Sequence, residues 1–339
     1  MYNFKNDYAE GAHPNILNRL LVSNLEQHEG YGADFYSIKA KEILRGLIQN
    51  ESAAIHFLSG GTQTNRLAMT AFLRPHEAVI SPSSGHIATN EAGAIEASGH
   101  KVITAPAEHG KLTVSAIEAV VKNHSLAPHV VKPKLVYISQ ATEVGTVYNL
   151  AELEALSNYC RNHGLYFYID GARLGSAIMA EGCDVTLPDL ARLTDAFYIG
   201  ATKNGGLLGE AMVIANPDLQ NDFDYIVKQN GALLSKGRLL GIQYFELFSD
   251  GLYFELARHA NTMAAKITAA LRGKGYNFLT DSTTNQIFPI LPYSLIEKLK
   301  SDFDFYIWQA IDNNHAAIRL ITSWATPESA VDQFIAALE

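Results

Sequence analysis

Residues 165–206 read LYFYIDGARLGSAIMAEGCDVTLPDLARLTDAFYIGATKNGG. Two runs inside this stretch, LYFYI at 165–169 and AFYIG at 196–200, are continuously apolar and aromatic or β-branched. That pattern suits strands covered on both faces, as in a parallel sheet lying between helix layers. A chemically loaded residue follows each run: Asp170 after the first, and Lys203 a few residues after the second. The interval between them leaves room for a helical crossover and one further strand.

The same alternation of short apolar strand and helix-like stretch extends on both sides. Candidate strands are Ala54–Leu58, Ala78–Ser81, Lys101–Ala105, Lys134–Ser139, Leu165–Ile169, Ala196–Gly200 and Ala211–Ala215. Residues 114–122, with Thr113 as N-cap, and residues 151–163, with Gly164 as a C-terminal stop, carry the helical period between them. Such alternation predicts a doubly wound α/β domain with its sites at the carboxyl ends of the strands. Beyond about residue 219 the character changes to long helical stretches at 223–248 and 252–273. Short strand candidates follow near Gln286–Ile290 and Ala317–Thr322, which predicts a linking helical region and a small α+β domain. The expected division is an N-terminal segment 1–13, a large domain 14–245 and a small domain 246–339.

The chain has 339 residues, 47% of them hydrophobic and 18% charged, enough apolar material for a substantial core. A net charge of −9, from 26 Lys+Arg against 35 Asp+Glu, argues against general nucleic-acid binding. No apolar run approaches the roughly 20 residues that span a bilayer. The opening MYNFKNDYAEGAHP lacks the basic-then-apolar signature of a secretory leader. Cys160 and Cys183 give neither a disulfide framework nor a metal cluster. A soluble cytoplasmic protein, without nucleic-acid or membrane partners and without a metal, is expected.

Five motifs carry possible chemistry. Ser59-Gly60-Gly61-Thr62-Gln63-Thr64-Asn65 follows the strand AIHFL and opens a helix, where backbone N–H groups converge on an anion and Thr62 and Thr64 add hydroxyls. It matches neither the Walker A loop nor the dinucleotide fingerprint. Asp170 places a carboxylate at the end of a buried strand, where it needs a cation or donors. Lys203, preceded by Thr202 and followed by Asn204-Gly205-Gly206, is set among small residues, where desolvation yields a nucleophilic amine. His86, after the strand AVIS, offers a ring to stack on a planar cofactor, with Glu91 as its partner or a solvated acid. Arg319 stands inside the apolar strand IRLIT, where its fork fits a substrate carboxylate or an interdomain acid. Read one at a time, these have ordinary structural explanations. In order, at successive strand ends, they supply what pyridoxal phosphate needs: N–H groups for the phosphate, a carboxylate for the ring nitrogen and a lysine for the aldehyde.

The motifs NDYAEGAHP, HEGYGAD, SGGTQTN, GHIATNEAGAIEASGHKV, PKLVYIS, YIDGARL, FYIGATKNGG and IRLITSW occur in that order from about residue 3 to the C-terminus. Together they resemble the L-threonine aldolase family, fold-type I pyridoxal-phosphate enzymes of the β-eliminating lyase group. The resemblance implies a mostly parallel seven-stranded sheet between helices, and retro-aldol cleavage of a β-hydroxy-α-amino acid to glycine and an aldehyde. By position it makes Lys203 the cofactor-linking lysine, Asp170 the partner of the pyridine nitrogen and His86 the ring-stacking histidine. Gly60, Gly61, Thr62 and Gln63 fall at the phosphate turn, with Thr202 beside the lysine. Arg173 and Arg319 resemble the carboxylate-holding arginines, Arg173 being also a cofactor contact near the phenolic oxygen, and Asn6 falls where many members have a serine that contacts the carboxylate. Tyr31 resembles a tyrosine that reaches a neighbouring subunit's site, which implies a homo-oligomer, a dimer of dimers with shared sites.

Two departures from the family pattern stand out. Gln140-Ala141-Thr142-Glu143 replaces a Glu-Asn-Thr-His run, so Glu143 stands where a histidine would face the substrate hydroxyl. Gly231-Ala232-Leu233-Leu234-Ser235-Lys236 replaces a GGGMRQ-like run, leaving Lys228 and Lys236 as alternatives for a phosphate contact. β-Elimination, transamination and a non-catalytic binding protein remain open alternatives from the residues alone.

Overall fold

The computed structural model describes all 339 residues. Its centre is a seven-stranded sheet, with strands labelled in chain order: β1 (Ala54–Leu58), β2 (Glu77–Pro82), β3 (Lys101–Ala105), β4 (Lys132–Ser139), β5 (Tyr166–Asp170), β6 (Ala196–Gly200) and β7 (Glu210–Ile214). They lie in the order β1-β7-β6-β5-β4-β2-β3. β7 runs antiparallel to both neighbours and every other pairing is parallel. All seven candidate strands of the sequence reading are in this sheet, with ends shifted by at most two residues.

Alternation along the strands divides the core into two layers. Val136, Phe167, Ile169, Phe197, Ile199 and Val213 pack on one face against helices that include Phe35–Ile48, Leu150–Asn162 and Arg238–Ser249. Tyr137, Tyr168, Tyr198 and Met212 point to the other face, against Gly61–Phe72 and Phe223–Gln229. Each large apolar side chain buried in this way contributes roughly 1.5–3 kcal/mol. Thr113 caps the helix Val114–Asn123 as expected, and Asn149 with Glu152 forms a capping box at Leu150–Asn162.

The helical stretch expected over 223–248 is two helices, Phe223–Gln229 and Arg238–Ser249. The chain leaves the first at Gly231, whose φ of +69° is a left-handed conformation that ends an α-helix. The long helix Leu252–Gly273 then bridges from the main core to a second cluster. There, the strands Gln286–Ile287, Ile290–Pro292, Tyr306–Ala310 and His315–Ile321 form a small antiparallel sheet backed by helices. The N-terminus joins this unit: Tyr2–Asn3 pairs with Phe303–Asp304, and Phe4 is fully buried in its core.

One close approach ties β5 to β6 at the sheet's carboxyl edge. A Cβ on Gly171 would collide with the carbonyl oxygen of Tyr198, and backbone on both sides leaves little room to relax. Gly171→Ala is expected to cost about 3 kcal/mol or more, read as a fall in the urea midpoint. An unchanged midpoint would contradict the tightness of this crossing.

Candidate active site

The carboxyl ends of β1, β2, β4, β5 and β6 open onto a cavity of about 740 Å³, to whose wall the small sheet contributes Tyr306, Ile307, Trp308 and Arg319. It is lined by Asn6, Gly60, Gly61, Thr62, His86, Glu143, Asp170, Arg173, Thr202, Lys203 and Arg319, among others. These residues come from five strand ends, the N-terminal segment and the small sheet, yet they face one volume.

Asp170 ends β5 and is 3% exposed. Four donors hold it: Tyr198 Oη at 2.5 Å and the Ala172 N–H at 3.0 Å on Oδ1, and Tyr137 Oη at 2.7 Å and Asn65 Nδ2 at 2.9 Å on Oδ2. Burial pushes this carboxyl up, but the His86 charge and the bonds from Tyr198, Asn65 and Ala172 outweigh it and hold the pKa below its ordinary value. Asn65 passes the connection on: its Nδ2 also donates to Glu91 Oε1 at 2.8 Å, and its Oδ1 accepts from Tyr168 Oη at 3.0 Å. Glu91 Oε1 in turn meets His86 Nδ1 at 2.8 Å, and the Glu91 side chain is sealed from solvent. Glu91 is therefore a buried partner of His86. With Nδ1 committed to a carboxylate, Nε2 is the ring nitrogen left for a ligand.

Lys203 is partly buried just past β6. Burial, and after it the Arg173 charge, lowers its pKa, while Asp7, Asp170 and Glu210 pull the other way. Glu210 opens β7 beside it. Its Oε1 accepts from the Thr202 hydroxyl at 3.2 Å, and burial pushes its carboxyl up to about 8 against the pull of the Lys203 charge.

At the end of β1, Gly60 caps the helix Gly61–Phe72 without any side-chain hydrogen bond, so the first-turn N–H groups stay available. Gly61 and Thr62 line the cavity. Gln63 turns back instead, its Oε1 accepting from Ser59 N at 3.1 Å and Ser59 Oγ at 2.9 Å, and so shapes the turn from behind. The hydroxyl expected from Thr64 is spent on the Gly60 carbonyl at 3.0 Å, because a helical threonine reaches back one turn.

The two arginines differ. Arg173 forks onto Asp7, with Nε at 2.7 Å and Nη2 at 3.0 Å, and Asp7 also accepts from Asn285 Nδ2 at 2.9 Å. Burial opposes the ionised form of Asp7, yet Arg173 and Lys203 hold its pKa below the ordinary value. The carboxylate that meets Arg173 is thus the chain's own. Arg319 has only a long contact from Nη2 to the Lys5 carbonyl, at 3.4 Å, and its Nε is buried without a partner. Asn6 lies nearby on the cavity wall, with Oδ1 accepting from Tyr8 N.

Glu143 Oε1 accepts from Ser139 Oγ at 2.6 Å and the His86 N–H at 3.0 Å, and its Oε2 is buried without a partner. Burial raises its pKa. Tyr31 stands outside the cavity, exposed, with Lys228 Nζ 4.7 Å from its ring centre. Asp7, Asn65, Glu210 and the three tyrosines were not singled out by the sequence reading. A signal was present for two of the tyrosines, since Tyr137 and Tyr168 are cross-strand neighbours in LVYIS and LYFYI.

Comparison with known proteins bears directly on this arrangement. A family described as beta-eliminating lyase matches residues 12–292. The chain belongs to the beta-eliminating lyase family. Among relatives of this lyase, the low specificity L-threonine aldolase of Pseudomonas aeruginosa is 33% identical, over 95% of this chain and 93% of that protein. A solved structure of Leishmania major threonine aldolase is 49% identical, covers 100% of this chain and 98% of its own, and superposes with a TM-score of 0.98. A Thermus thermophilus aspartate aminotransferase variant, 14% identical and covering 100% of this chain and 91% of its own, has a TM-score of 0.73 and shares the fold.

The donors around Asp170 give a pH signature. Its folded pKa lies below the unfolded value of about 3.9. Its ionised form therefore contributes stability that is complete above that value and lost as pH falls through the folded one. Urea midpoints taken between about pH 5 and pH 2 should show the wild type losing stability relative to Asp170→Asn. Parallel curves would contradict a depressed pKa at this position.

Proposed function

We propose that this lyase is a pyridoxal-phosphate-dependent aldolase that cleaves L-threonine, L-allo-threonine and related β-hydroxy-α-amino acids to glycine and an aldehyde. The observation that carries this is the convergence of a four-donor carboxylate, Asp170, a desolvated lysine, Lys203, and an uncapped helix start at Gly60–Thr62 on one cavity. The activity for which the P. aeruginosa and L. major relatives are named agrees with it.

The residues fit the cofactor's chemistry. First-turn N–H groups at Gly61 and Thr62 would hold the phosphate, with Gln63 and Thr202 bracing the turn and the lysine loop. Asp170, kept ionised by its donors, would keep the ring nitrogen protonated. Lys203 would link to the aldehyde carbon, and His86 would cover a ring face. When bound, pyridoxal phosphate supplies an electron sink for the pair released from the breaking Cα–Cβ bond.

The chain supplies the rest. Arg319, aided by Asn6, would hold the substrate carboxylate and so orient the substrate for cleavage of one bond at Cα. Arg173 braces that site through Asp7, whose negative charge leaves Arg319 as the uncompensated cation facing a substrate. His86 Nε2 or Glu143 Oε2 would take the hydroxyl proton as the aldehyde leaves; both residues line the cavity, and Glu143 Oε2 has no partner of its own. A group of the same cavity would return a proton to Cα of glycine, and Lys203 is the amine that would hold the cofactor between turnovers.

The assembly proposed is a homo-oligomer, a dimer of dimers with two chains completing each site, working in the cytoplasm. Leu17, Leu21, Val22, Leu25, Phe35 and Ile38 leave an exposed apolar surface, and Tyr31 faces away from its own cavity. Lys228 and Lys236 remain the phosphate-contact candidates from that region. The division into residues 1–13, 14–245 and 246–339 is retained as the domain proposal. No helix is long and apolar enough to cross a membrane.

Purified protein with pyridoxal phosphate should release acetaldehyde and glycine from L-threonine, and Lys203→Ala should abolish this along with the cofactor's visible absorbance. Formation of 2-oxobutyrate without acetaldehyde would point to elimination, and amine transfer to an oxo-acid would point to transamination. A base must be ionised to act, so if Glu143 takes the proton, kcat/KM rises with pH through its raised pKa. Glu143→Gln should then lose that acid limb; an unaltered profile would leave the proton to His86.

A further inference from the structure

Arg319 poses a physical problem that Arg173 does not. A guanidinium is usually immobilised by an acid, as Asp7 immobilises Arg173, but an acid occupies the N–H edge and leaves little of the fork for a ligand. Arg319 has no acidic partner, and its Nε is buried and unused. Something else has to hold it.

Two aromatic rings are in place to do so. The ring centre of Trp308 lies 5.0 Å from the guanidinium carbon of Arg319, and that of Tyr306 lies 5.3 Å away. Both are within the roughly 6 Å over which a cation is attracted to a ring face. The backbone is arranged for this contact. Tyr306 is the direct cross-strand partner of Arg319, so their side chains share a face of the small sheet. The register then slips between Ile307 and Gln309, which makes Trp308 the extra residue of a β-bulge. Bulges re-aim a side chain, and they cluster beside active sites. Phe288 meets the Trp308 ring edge-on at 5.3 Å and is itself fully buried, so the indole has a fixed backstop. Lys5 lies 5.4 Å from the Tyr306 ring and is paired with Asp304 at 2.7 Å.

The strand Tyr306–Ala310 is exposed along its whole length, yet Tyr306, Ile307 and Trp308 all line the cavity. Exposed aromatics at a cavity wall need a reason that core packing does not give. Ring faces attract a cation without accepting its hydrogen bonds, so they hold the plane of the guanidinium and leave its edge free.

We propose that Tyr306 and Trp308 are positioning residues, an aromatic clamp that fixes the Arg319 guanidinium while keeping its N–H edge free for the carboxylate of an amino-acid ligand. The clamp rests on the reading of the cavity as an amino-acid site.

The test uses the pyridoxal-phosphate-loaded enzyme and two small amines, glycine and methylamine, which differ by a carboxylate. Binding is read from the change in the bound cofactor's absorbance. Trp308→Leu and Tyr306→Leu should each weaken glycine by about three- to thirty-fold, the range that cation–π contacts carry, and leave methylamine unchanged. Trp308→Phe should restore most of the glycine affinity. Trp308→Glu should be worse than Trp308→Leu, because its carboxylate takes the fork. In an Arg319→Ala background, Trp308→Leu should have no further effect on glycine. Equal weakening of glycine and methylamine, or a Trp308→Leu effect that persists without Arg319, would overturn the clamp. Tight glycine binding by Trp308→Glu would overturn it too. The aldolase reading is judged separately by aldehyde release from L-threonine, so either claim can fail while the other stands.

Discussion

A carboxylate kept ionised with almost no solvent is the constraint on which this structure turns. Asp170 is 3% exposed and would be neutral in an apolar strand end, since removing an unpaired charge from water is among the largest penalties a fold can incur. Four donors from β4, β5, β6 and the helix after β1 converge on it instead. Two of them, from Tyr137 and Tyr198, require β4 and β6 to flank β5 in register, and a third is steadied by Tyr168, which donates to Asn65 from the same face of the sheet. The order β6-β5-β4 is thus as much a condition of the charge as of the core. The narrow crossing at Gly171 holds the turn that presents the Ala172 N–H.

From that carboxylate, polar contacts run outward through Asn65 and Glu91 to His86, so the ring facing the cavity is fixed by the same network that holds the charge. A second network, Arg173–Asp7–Asn285, links the large sheet to the N-terminal segment and the small sheet. It compensates one arginine and leaves Arg319 without an acidic partner. The cavity is therefore divided electrostatically among the Asp170 carboxylate, the Arg319 fork and Lys203, which sits between acids that oppose the loss of its proton and a burial that favours it.

The middle of the sheet was legible because its strands are buried on both faces and so appear as unbroken apolar runs, which turn-rich segments punctuate. The edge strands β1 and β3 are only partly buried and were readable as short runs within the same alternation with helices, and the helices with strong period and caps came with them. The break at 230–237 was missed because the flanking helical period continues across it and only Gly231 marks the stop. Among the site residues, Asp170, Lys203, His86 and Arg319 were readable from their places at strand ends or inside an apolar strand. Asp7 was not, because nothing local in NDYAEGAHP says that a residue so near the N-terminus will meet Arg173. Glu210 was missed for the opposite reason: it opens an apolar run, EAMVI, where an acid reads as the edge of a strand. Gln63 and Thr64 were placed at the right turn, but the backbone hydrogen bonds that decide where their side chains go depend on the helix already being formed.

The central claim is that Lys203 and Asp170 face one pyridoxal-phosphate site. Borohydride reduction of the protein incubated with pyridoxal phosphate, followed by peptide mass mapping, tests it most directly. The account predicts a single reduced adduct on Lys203, formed readily in the wild type and poorly in Asp170→Ala. An adduct on another lysine, or none, would contradict it.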